Sequence, residues 1–380
     1  MIRFLPALFL FCVVATFKPS SASTVLSDPD ATPETIVLYE NLREAAKDHL
    51  LYGQYRAYTF GKHTQPEEHR EKEPRFDQTD AGALVGAHPA VVEFGLHKPE
   101  YYDYWKKLAP ELHRRGVIIS LSSHSRNPDL EIPYNDSHKD NRGDPVTKVL
   151  DRSSADHQAY MEVLRSYGEF IRDLRDDEGK PIPVLLRLYH EHTGGWFWWG
   201  SRTCTPEQFN ELWKMTIDFF RDEMDLHNLI LVISPDKPFT KEKYLSRLPD
   251  LEYVDIMGMD AYMGDPEQFL LCARNTVELA REHNKIPAIT EFGFRRGFSQ
   301  QTDPQFYTKM FLENIQEDPV ANEMAFALTW FGRKPEGSEE PVNWTAYDDE
   351  PTTMHIYPDF VKFRNDPWTV FEGDLPNLYQ

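Results

Sequence analysis

Residues 184–223 read VLLRLYHEHTGGWFWWGSRTCTPEQFNELWKMTIDFFRDE, and this stretch contains both parts of a β/α unit. The apolar run Val184–Tyr189 is typical of a buried strand, and Pro206–Glu223 has apolar residues at helical spacing. A glycine- and tryptophan-rich segment separates the two. A strand followed by a helix in one chain is the building unit of a parallel sheet.

The same unit recurs along the chain. The predicted strands are Leu51–Gln54, Ala90–Phe94, Val117–Leu121, Val184–Tyr189, Leu229–Ser234, Tyr253–Gly258, Pro287–Glu291 and Ala325–Trp330. The predicted helices are Glu34–Asp48, Tyr101–Arg115, Asp156–Arg175, Pro206–Glu223, Pro266–Glu282 and Pro304–Glu317. The segment from Ser122 to Asp156 is long and polar, and we expect it to be a loop that shapes a cleft. Eight such units in one chain predict an α/β fold of the (β/α)8 TIM barrel type.

The alternative architecture is a doubly wound open sheet. Such sheets usually carry a glycine-rich phosphate loop directly after the first strand. Here the strand that ends at Gln54 is followed by YRAY, residues 55–58, with no GxGxxG pattern. We therefore predict a single catalytic barrel domain over residues 23–380.

Residues 1–22 have the pattern of a secretory signal peptide. Arg3 gives a positive start, residues 4–17 form an apolar run, and the small residues of Ser20–Ala22 suit signal peptidase. The run is too short for a membrane span, which needs roughly 20 residues. We expect a protein secreted from the cell or into the periplasm, with no membrane segment after the signal is removed.

The composition excludes several classes of partner and cofactor. A formal charge of −21 repels phosphate backbones and argues against nucleic acid, but it does not hinder a neutral sugar polymer. Outside the signal, Cys204 and Cys272 have the spacing of no zinc site, although an oxidising compartment would allow them to pair. We expect no metal, no cofactor and a monomer.

Two glutamates stand at predicted strand ends. Active sites of such barrels lie at the C-terminal ends of the strands, where strand 4 reaches Glu191 and strand 7 reaches Glu291. Two carboxyl groups facing each other across the mouth fit a retaining glycosidase, in which one protonates the leaving oxygen and the other attacks the anomeric carbon. The structural alternative is that each glutamate caps a loop or pairs with an arginine.

Four consecutive aromatic residues, Trp196–Trp199, follow the first of these glutamates. Sugar rings stack their C–H faces on aromatic planes, so we expect Trp196 to face the cleft and the other three mainly to hold the loop. A metal site at His190, Glu191 and His192 is disfavoured. The spacing is not HExxH, and adjacent residues at a strand end point in different directions.

The segment RLYHEHTGGWFWWG, residues 187–200, resembles the acid/base signature of glycoside hydrolase family 26, the β-mannanase family. That family places His before the acid/base Glu, whereas most relatives in the same clan place Asn. Further segments resemble other parts of the family pattern: GAHPAVV (86–92), YVDIMGMDAY (253–262), ITEFG (289–293) and YPDFVKFRNDP (357–367).

The resemblance implies a role for each matching residue. Glu191 is expected to be the general acid/base and Glu291 the nucleophile, with Tyr262 donating a hydrogen bond to Glu291. His124 and His190 are expected to contact the sugar in the −1 subsite. Trp196 and Trp330 are expected to provide aromatic surfaces around the cleavage point.

The sequence departs from the family pattern at three places near these residues. Ser123 stands before His124 where the family usually has Trp, and Thr193 stands where the acid/base motif often has Asn. Phe331 and Gly332 stand where several members have Arg-Asn after the eighth-strand Trp. This last departure concerns the −2 subsite and the product pattern.

The resemblance, together with the predicted signal peptide, implies a secreted endo-β-1,4-mannanase that acts on a β-mannan by double displacement. Two alternatives remain open at this point. One keeps the mechanism and changes the substrate to a β-glucan or β-xylan. The other is a non-catalytic polysaccharide-binding barrel, which would be expected to lack one of the two carboxylates, whereas both Glu191 and Glu291 are present.

Overall fold

Eight parallel strands close into a barrel in the computed structural model, which describes residues 26–59, 61, 74–132, 141–295, 297–330 and 353–380. The predicted signal peptide lies outside these residues. The strands are β1 (Leu50–Tyr55), β2 (Val91–Gly95), β3 (Ile118–Ser122), β4 (Val184–Arg187), β5 (Leu229–Ile233), β6 (Ile256–Tyr262), β7 (Ile286–Gly293) and β8 (Phe326–Thr329).

Each strand pairs in parallel with the next one along the chain, and β1 pairs with both β2 and β8, which closes the barrel. In the closing register, Gly53 lies opposite Val91 on one side and Leu328 on the other. A two-residue strand, β9 (Thr369–Val370), pairs with the start of β1. The predicted (β/α)8 barrel is therefore confirmed.

Helices cover the outside of the barrel. They are α1 (Pro33–Ala45), α2 (Asp80–Val85), α3 (Tyr102–Arg114), α4 (Pro145–Leu150), α5 (Ala155–Asp173), α6 (Pro206–Asp218), α7 (Lys241–Leu245), α8 (Pro266–Glu282) and α9 (Tyr357–Asn365). Short 3-10 turns span Pro99–Tyr101, Leu251–Tyr253 and Ala321–Glu323, and π-helical segments span Phe219–Glu223 and Thr308–Ile315.

Polar caps set where the long helices begin. The side chain of Ser154 accepts from the backbone N–H of His157 before α5, and Thr205 forms a capping box with Gln208 before α6. Asp265 accepts from two backbone N–H groups before α8. Each cap satisfies N–H groups that have no partner within the helix.

Several element boundaries differ from the prediction. The fourth strand ends at Arg187 instead of Tyr189, because the backbone of Tyr189 turns into the left-handed region at φ 50°. The sixth strand begins later than predicted and runs on to Tyr262. The predicted helix Pro304–Glu317 is a π-helical segment, Thr308–Ile315. The long loop after β3 contains α4.

The N-terminal end of the barrel is closed by both ends of the described chain. Near the start, the backbone N–H and the hydroxyl of Ser27 donate to the buried carboxylate of Asp255, at 2.6 and 2.9 Å. The backbone N–H of Leu231 donates to the same carboxylate at 2.8 Å. Near the end, the buried hydroxyl of Tyr379 accepts from the backbone N–H of Ile119 at 3.3 Å. We call this end the base of the barrel and the opposite end the mouth.

Neither a disulfide nor a membrane-spanning helix is found among the described residues. Cys204 and Cys272 are both buried and free, so they form no disulfide with each other. Within the described ranges, no helix is long and apolar enough to cross a membrane.

Candidate active site

Glu191 lies just beyond the end of β4, in a backbone that has turned out of the strand. Tyr189 and Glu191 have φ values of 50° and 52°, in the left-handed region that residues other than glycine seldom occupy. The N–H of Glu191 donates to the carbonyl of Ser234 at 2.7 Å, and the N–H of Gly194 donates to the carbonyl of Glu191 at 2.8 Å. Such backbone strain is concentrated at functional sites and persists only where surrounding contacts hold it.

The indole of Trp196 holds the Glu191 carboxyl group. Its Nε1 donates to Oε2 of Glu191 at 2.6 Å. The indole folds back over Gly194 so closely that a Cβ there would lie 2.4 Å from the ring, which explains the need for glycine. Trp196 is half-buried, whereas Phe197, Trp198 and Trp199 are buried.

The buried tryptophans attach this loop to the barrel. Nε1 of Trp198 donates to the carbonyl of Ser125 at 3.0 Å, and Nε1 of Trp199 donates to the carbonyl of His190 at 2.8 Å. Their hydrogen bonds run to the segment after β3 and to the end of β4. The loop that presents Trp196 is therefore fixed at both sides.

Glu291 lies near the end of β7, where the pairing of that strand is irregular. The register with β6 shifts between Met259 and Asp260, so that Met259 pairs with Ile289 and Asp260 pairs with Glu291. The pairing with β8 shifts between Ile289 and Phe292. A bulge of this kind re-aims side chains and is common beside active sites.

The Glu291 carboxylate has two strong donors. Nη2 of Arg187 donates to Oε1 at 2.6 Å, and the hydroxyl of Tyr262 donates to Oε2 at 2.6 Å. Glu291 is 4 % exposed, so these donors replace water. The arrangement orients the carboxylate and leaves it ionised more readily than a buried carboxyl without a cation.

Arg187 joins three carboxyl groups from three other strands. Besides Glu291, it contacts Glu93 on β2 at 2.9 Å and Asp260 on β6 at 3.1 Å. Its guanidinium is the centre of a buried cluster whose members are all at most 5 % exposed. One cation faces three acids, and burial together with Glu291 and Glu191 raises the pKa of Asp260 well above its usual range. Asp260 therefore loses its proton less readily than an exposed aspartate does.

The two glutamates differ in the groups that act against the effect of burial on their pKa values. Burial, followed by the charges of Glu291 and Asp236, raises the pKa of Glu191 to about 8. Burial also raises the pKa of Glu291, but the Arg187 cation and the Tyr262 hydroxyl act against it. At Glu191, the neutral indole of Trp196 and, more weakly, Lys237 act against burial. Of this pair, Glu291 loses its proton first and Glu191 keeps it to higher pH.

Aromatic and imidazole rings form one wall of the mouth. Trp330 stacks on Tyr55 with ring centroids 4.0 Å apart and an interplanar angle of 2°. The ring of His124 meets Trp330 edge-on at 5.2 Å and His190 at 4.5 Å. His97 contacts His124 in turn, and its Nδ1 accepts from the His124 backbone N–H at 3.0 Å. His190 is 1 % exposed, whereas His124 and Trp330 are only partly buried.

The sequence profile of glycosyl hydrolase family 26 matches residues 27–303. The chain belongs to this family. A mannan endo-1,4-β-mannosidase of Bifidobacterium adolescentis is 27% identical over 361 residues, 86% of this chain and 34% of that protein. A mannan endo-1,4-β-mannosidase of Bacillus subtilis is 28% identical over 223 residues, 57% of this chain and 54% of that protein. The chain thus spans about a third of the first relative and about half of the second.

A solved structure gives the same assignment. The catalytic domain of the Bacillus sp. JAMB-750 family 26 endo-β-1,4-mannanase matches with a TM-score of 0.82 and 28% identity, covering 93% of this chain and 96% of that one. The family and the barrel predicted from the sequence are both confirmed.

This family 26 chain brings its predicted site residues to one end of the barrel. Glu191 and Trp196 follow β4, Tyr262 ends β6, and Glu291 lies on β7. His124 follows β3, His190 precedes Glu191, and Trp330 follows β8. His192, in contrast, is fully buried and stacks on Phe209 at 4.5 Å, away from its neighbour Glu191.

Sequence reasoning missed Glu93, Arg187 and Asp260 as parts of the site. A signal for them exists, because each is a charged residue inside an otherwise apolar strand, and buried charges are rarely tolerated without partners. It also missed Asp236 and Lys237 after β5, whose proximity to Glu191 depends on how two loops fold. Among the described residues, no group of three or more His, Cys, Asp or Glu side chains is arranged to hold a metal ion.

Proposed function

We propose that this chain is a secreted, retaining endo-β-1,4-mannanase in which Glu191 is the acid/base and Glu291 the nucleophile. One observation carries the proposal. The two carboxyl groups at the mouth have opposite kinds of partner: Glu191 accepts from a neutral indole, and Glu291 accepts from a guanidinium and a phenol. A double displacement needs this asymmetry, because one group must hold a proton while the other is ionised.

With these partners, the two carboxyl groups can carry out the reaction in two steps. In the first, Oε of the ionised Glu291 attacks the anomeric carbon, and the proton of Glu191 passes to the glycosidic oxygen as the C–O bond breaks. In the second, Glu191 accepts a proton from water, which attacks the same carbon and releases Glu291. Two inversions retain the anomeric configuration. Tyr262 and Arg187 keep Glu291 aimed, and Trp196 keeps Glu191 in place.

The substrate part of the proposal is supported by the relatives. Both curated relatives described above are named mannan endo-1,4-β-mannosidases, but the chain spans only part of each. Mannose differs from glucose in its axial 2-hydroxyl, so the wall formed by His124, His190 and Trp330 is where acceptance of mannose would be decided. A β-glucan or β-xylan substrate is the alternative with the same mechanism.

Export and the domain boundary are part of the same proposal. A polysaccharide is too large to enter a cell, which agrees with a signal peptide over residues 1–22 and a mature catalytic barrel over 23–380, acting as a monomer. Amino-terminal sequencing of the exported protein, with its size measured in solution, tests this part separately from the activity.

The deciding experiment is incubation of the mature chain with mannan, glucomannan, mixed-linkage β-glucan and xylan in parallel, with product analysis. We expect short manno-oligosaccharides from mannan and glucomannan and none from the other two. Proton NMR of the first products should show the β-anomer before mutarotation. Release of oligosaccharides from glucan or xylan alone would change the proposed substrate but keep the mechanism. An initial α-anomer would refute the retaining mechanism. Inactivity on all four polysaccharides would favour a non-catalytic binding protein.

A further inference from the structure

A charged pair after β5 lies beside the acid/base, and the mechanism above makes no use of it. Asp236 and Lys237 form an ion pair, and Lys237 has a φ of 35°, in the left-handed region. The N–H of Lys237 donates to the carbonyl of Asp260 at 2.9 Å. The ammonium of Lys243 donates to the carbonyls of Asp236 and Lys237, at 2.8 and 3.0 Å. The strained turn is thus held from β6 and from α7.

The same turn is attached to the loop that carries Glu191. The N–H of Asp236 donates to the hydroxyl of Thr193 at 3.1 Å, and the N–H of Glu191 donates to the carbonyl of Ser234 at 2.7 Å. The segments after β4 and β5 are therefore tied together at two points. A displacement of the charged pair would move the backbone next to the acid/base.

The side chains extend this connection as far as the reacting carboxyl. The ammonium of Lys237 lies 5.9 Å from the centroid of the Trp196 ring, within the range of a cation–π contact. Nε1 of the same indole donates to Glu191 at 2.6 Å. Asp236 is 7 % exposed and Lys237 28 % exposed, so the pair is screened less than a surface pair.

We propose that Asp236 and Lys237 are positioning residues for the acid/base: Lys237 holds the Trp196 indole against Glu191, and the ion pair is placed so that each of its charges acts on the Glu191 carboxyl. This inference rests on the proposed function, in which Glu191 acts as an acid. It adds that Asp236 and Lys237, at the end of the neighbouring strand β5, set the alkaline limit of activity.

The surroundings of Glu191 give the direction for each charge. Asp236 raises the pKa of Glu191, and Lys237 lowers it. Among the described residues, Glu291 on β7 and Asp260 and Tyr262 on β6 also act electrostatically with Glu191. None of these is altered by a substitution at Asp236 or Lys237. Removing the cation should therefore let Glu191 keep its proton to higher pH, and removing the anion should have the reverse effect.

The test measures the pH dependence of kcat/KM on mannan, whose alkaline limb reports the essential acid of the free enzyme. We expect Lys237→Met to move that limb upward by at least about 0.5 pH unit, and Asp236→Asn to move it downward by a similar amount. Lys237→Arg retains the charge and should leave the limb within about 0.2 pH unit of the parent.

A matched control is available on the outside of the barrel. Lys214 on α6 pairs with Asp250 at 3.2 Å and lies 5.2 Å from the centroid of the Tyr253 ring, which reproduces the chemistry of Lys237 far from the mouth. Lys214→Met should leave the alkaline limb unchanged. Equal shifts in Lys214→Met and Lys237→Met would reduce the effect to a general change in charge and overturn the proposal.

A second readout does not depend on turnover. Protein labelled with carbon-13 at the glutamate carboxyl groups is titrated by NMR, and the Glu191 signal is assigned by its loss in Glu191→Gln. The midpoint should move up in Lys237→Met and down in Asp236→Asn, even if the parent proves inactive on mannan. Midpoints that do not change, or that move in the same direction in Lys237→Met and Asp236→Asn, overturn the inference while leaving the proposed function intact.

Thermal unfolding checks that the variants are folded. If Asp236→Asn does not fold, the comparison of Lys237→Met with Lys237→Arg decides alone. A shift confined to the methionine variant supports the proposal, and equal midpoints in the two refute it.

Discussion

The mouth and the base of this barrel bury carboxyl groups in opposite ways. At the base, the carboxylate of Asp255 accepts from three neutral donors: the N–H and hydroxyl of Ser27 and the N–H of Leu231. At the mouth, Glu93, Asp260 and Glu291 share the one guanidinium of Arg187. At the base, neutral hydrogen-bond donors thus satisfy the buried carboxylate. The mouth keeps an excess of acid around one cation, which costs stability.

Backbone strain at the two ends differs in the type of residue that carries it. Tyr189, Glu191 and Lys237 adopt left-handed φ values at the mouth, on the segments that follow β4 and β5. Asp225 and Asn284 are also left-handed, at the base before β5 and β7, but Asp and Asn occupy this region more readily than other side chains. The costlier backbone strain therefore lies at the mouth, where the chemistry is proposed.

The sharpest way to break this comparison is to remove the ionised carboxylate of the mouth. Glu291→Ala should lower kcat at least about 10⁴-fold on mannan and on aryl β-mannosides alike, because both need the nucleophile. The protein should stay folded, since the variant relieves the crowding of acids around Arg187. Steady-state kinetics with both substrates measures this, and retaining hydrolysis at a rate near that of the parent would exclude Glu291 as nucleophile.

The second prediction separates the two glutamates by their need for a proton. Glu191→Ala should reduce hydrolysis of mannan by about 10²–10⁴-fold, while release of a good leaving group from an aryl β-mannoside falls far less. A leaving group that is already a weak base does not need the acid. Pre-steady-state release of the phenol is the measurement. Equal losses on the two substrates would contradict the assignment of the acid.

The third prediction tests the charge imbalance directly. Arg187→Met leaves three buried acids without their cation and should destabilise the fold by about 3–5 kcal/mol, as measured by urea unfolding. The acids would then have folded-state pKa values raised above those of the unfolded chain. Stability is therefore retained at low pH and lost as pH rises, so the deficit should be larger at alkaline than at acidic pH.

An exposed pair provides the control for that experiment. Arg281 is 42 % exposed and pairs with Glu323 on the outer surface. Arg281→Met should cost less than about 1 kcal/mol and show little dependence on pH, because solvent screens the pair. Equal losses of unfolding free energy in Arg187→Met and Arg281→Met would mean that the buried cluster at the mouth depends on its cation no more than an exposed pair does.

The smallest effect is expected at the base. Ser27→Ala removes the hydroxyl that donates to Asp255 at 2.9 Å and accepts from Arg221 at 2.6 Å. We expect a loss of about 1–2 kcal/mol in the free energy of unfolding, with kcat on mannan unchanged. Urea unfolding and steady-state kinetics on the same preparation measure both. A fall in kcat without a fall in stability would show that the base contributes to the chemistry.

Much of the fold was predictable because its signals are local. Apolar strands that alternate with amphipathic helices along the chain, repeated eight times, specify a barrel. The observed bounds of α8, Pro266–Glu282, are the predicted ones. The errors fell where tertiary contacts override local preference. β4 stops early because Tyr189 turns left-handed, and the helix predicted at Pro304–Glu317 is a π-helical segment packed against α8 and α9.

The amino-acid sequence by itself determined the barrel and brought Glu191 and Glu291 to the same end, because parallel strands end at the same face. Only the tertiary structure decided which groups surround each carboxyl. Arg187 meets Glu93, Asp260 and Glu291 across sequence separations of 94, 73 and 104 residues. Proton affinity depends on burial and on charges a few ångströms away, and neither is encoded by neighbours in the chain.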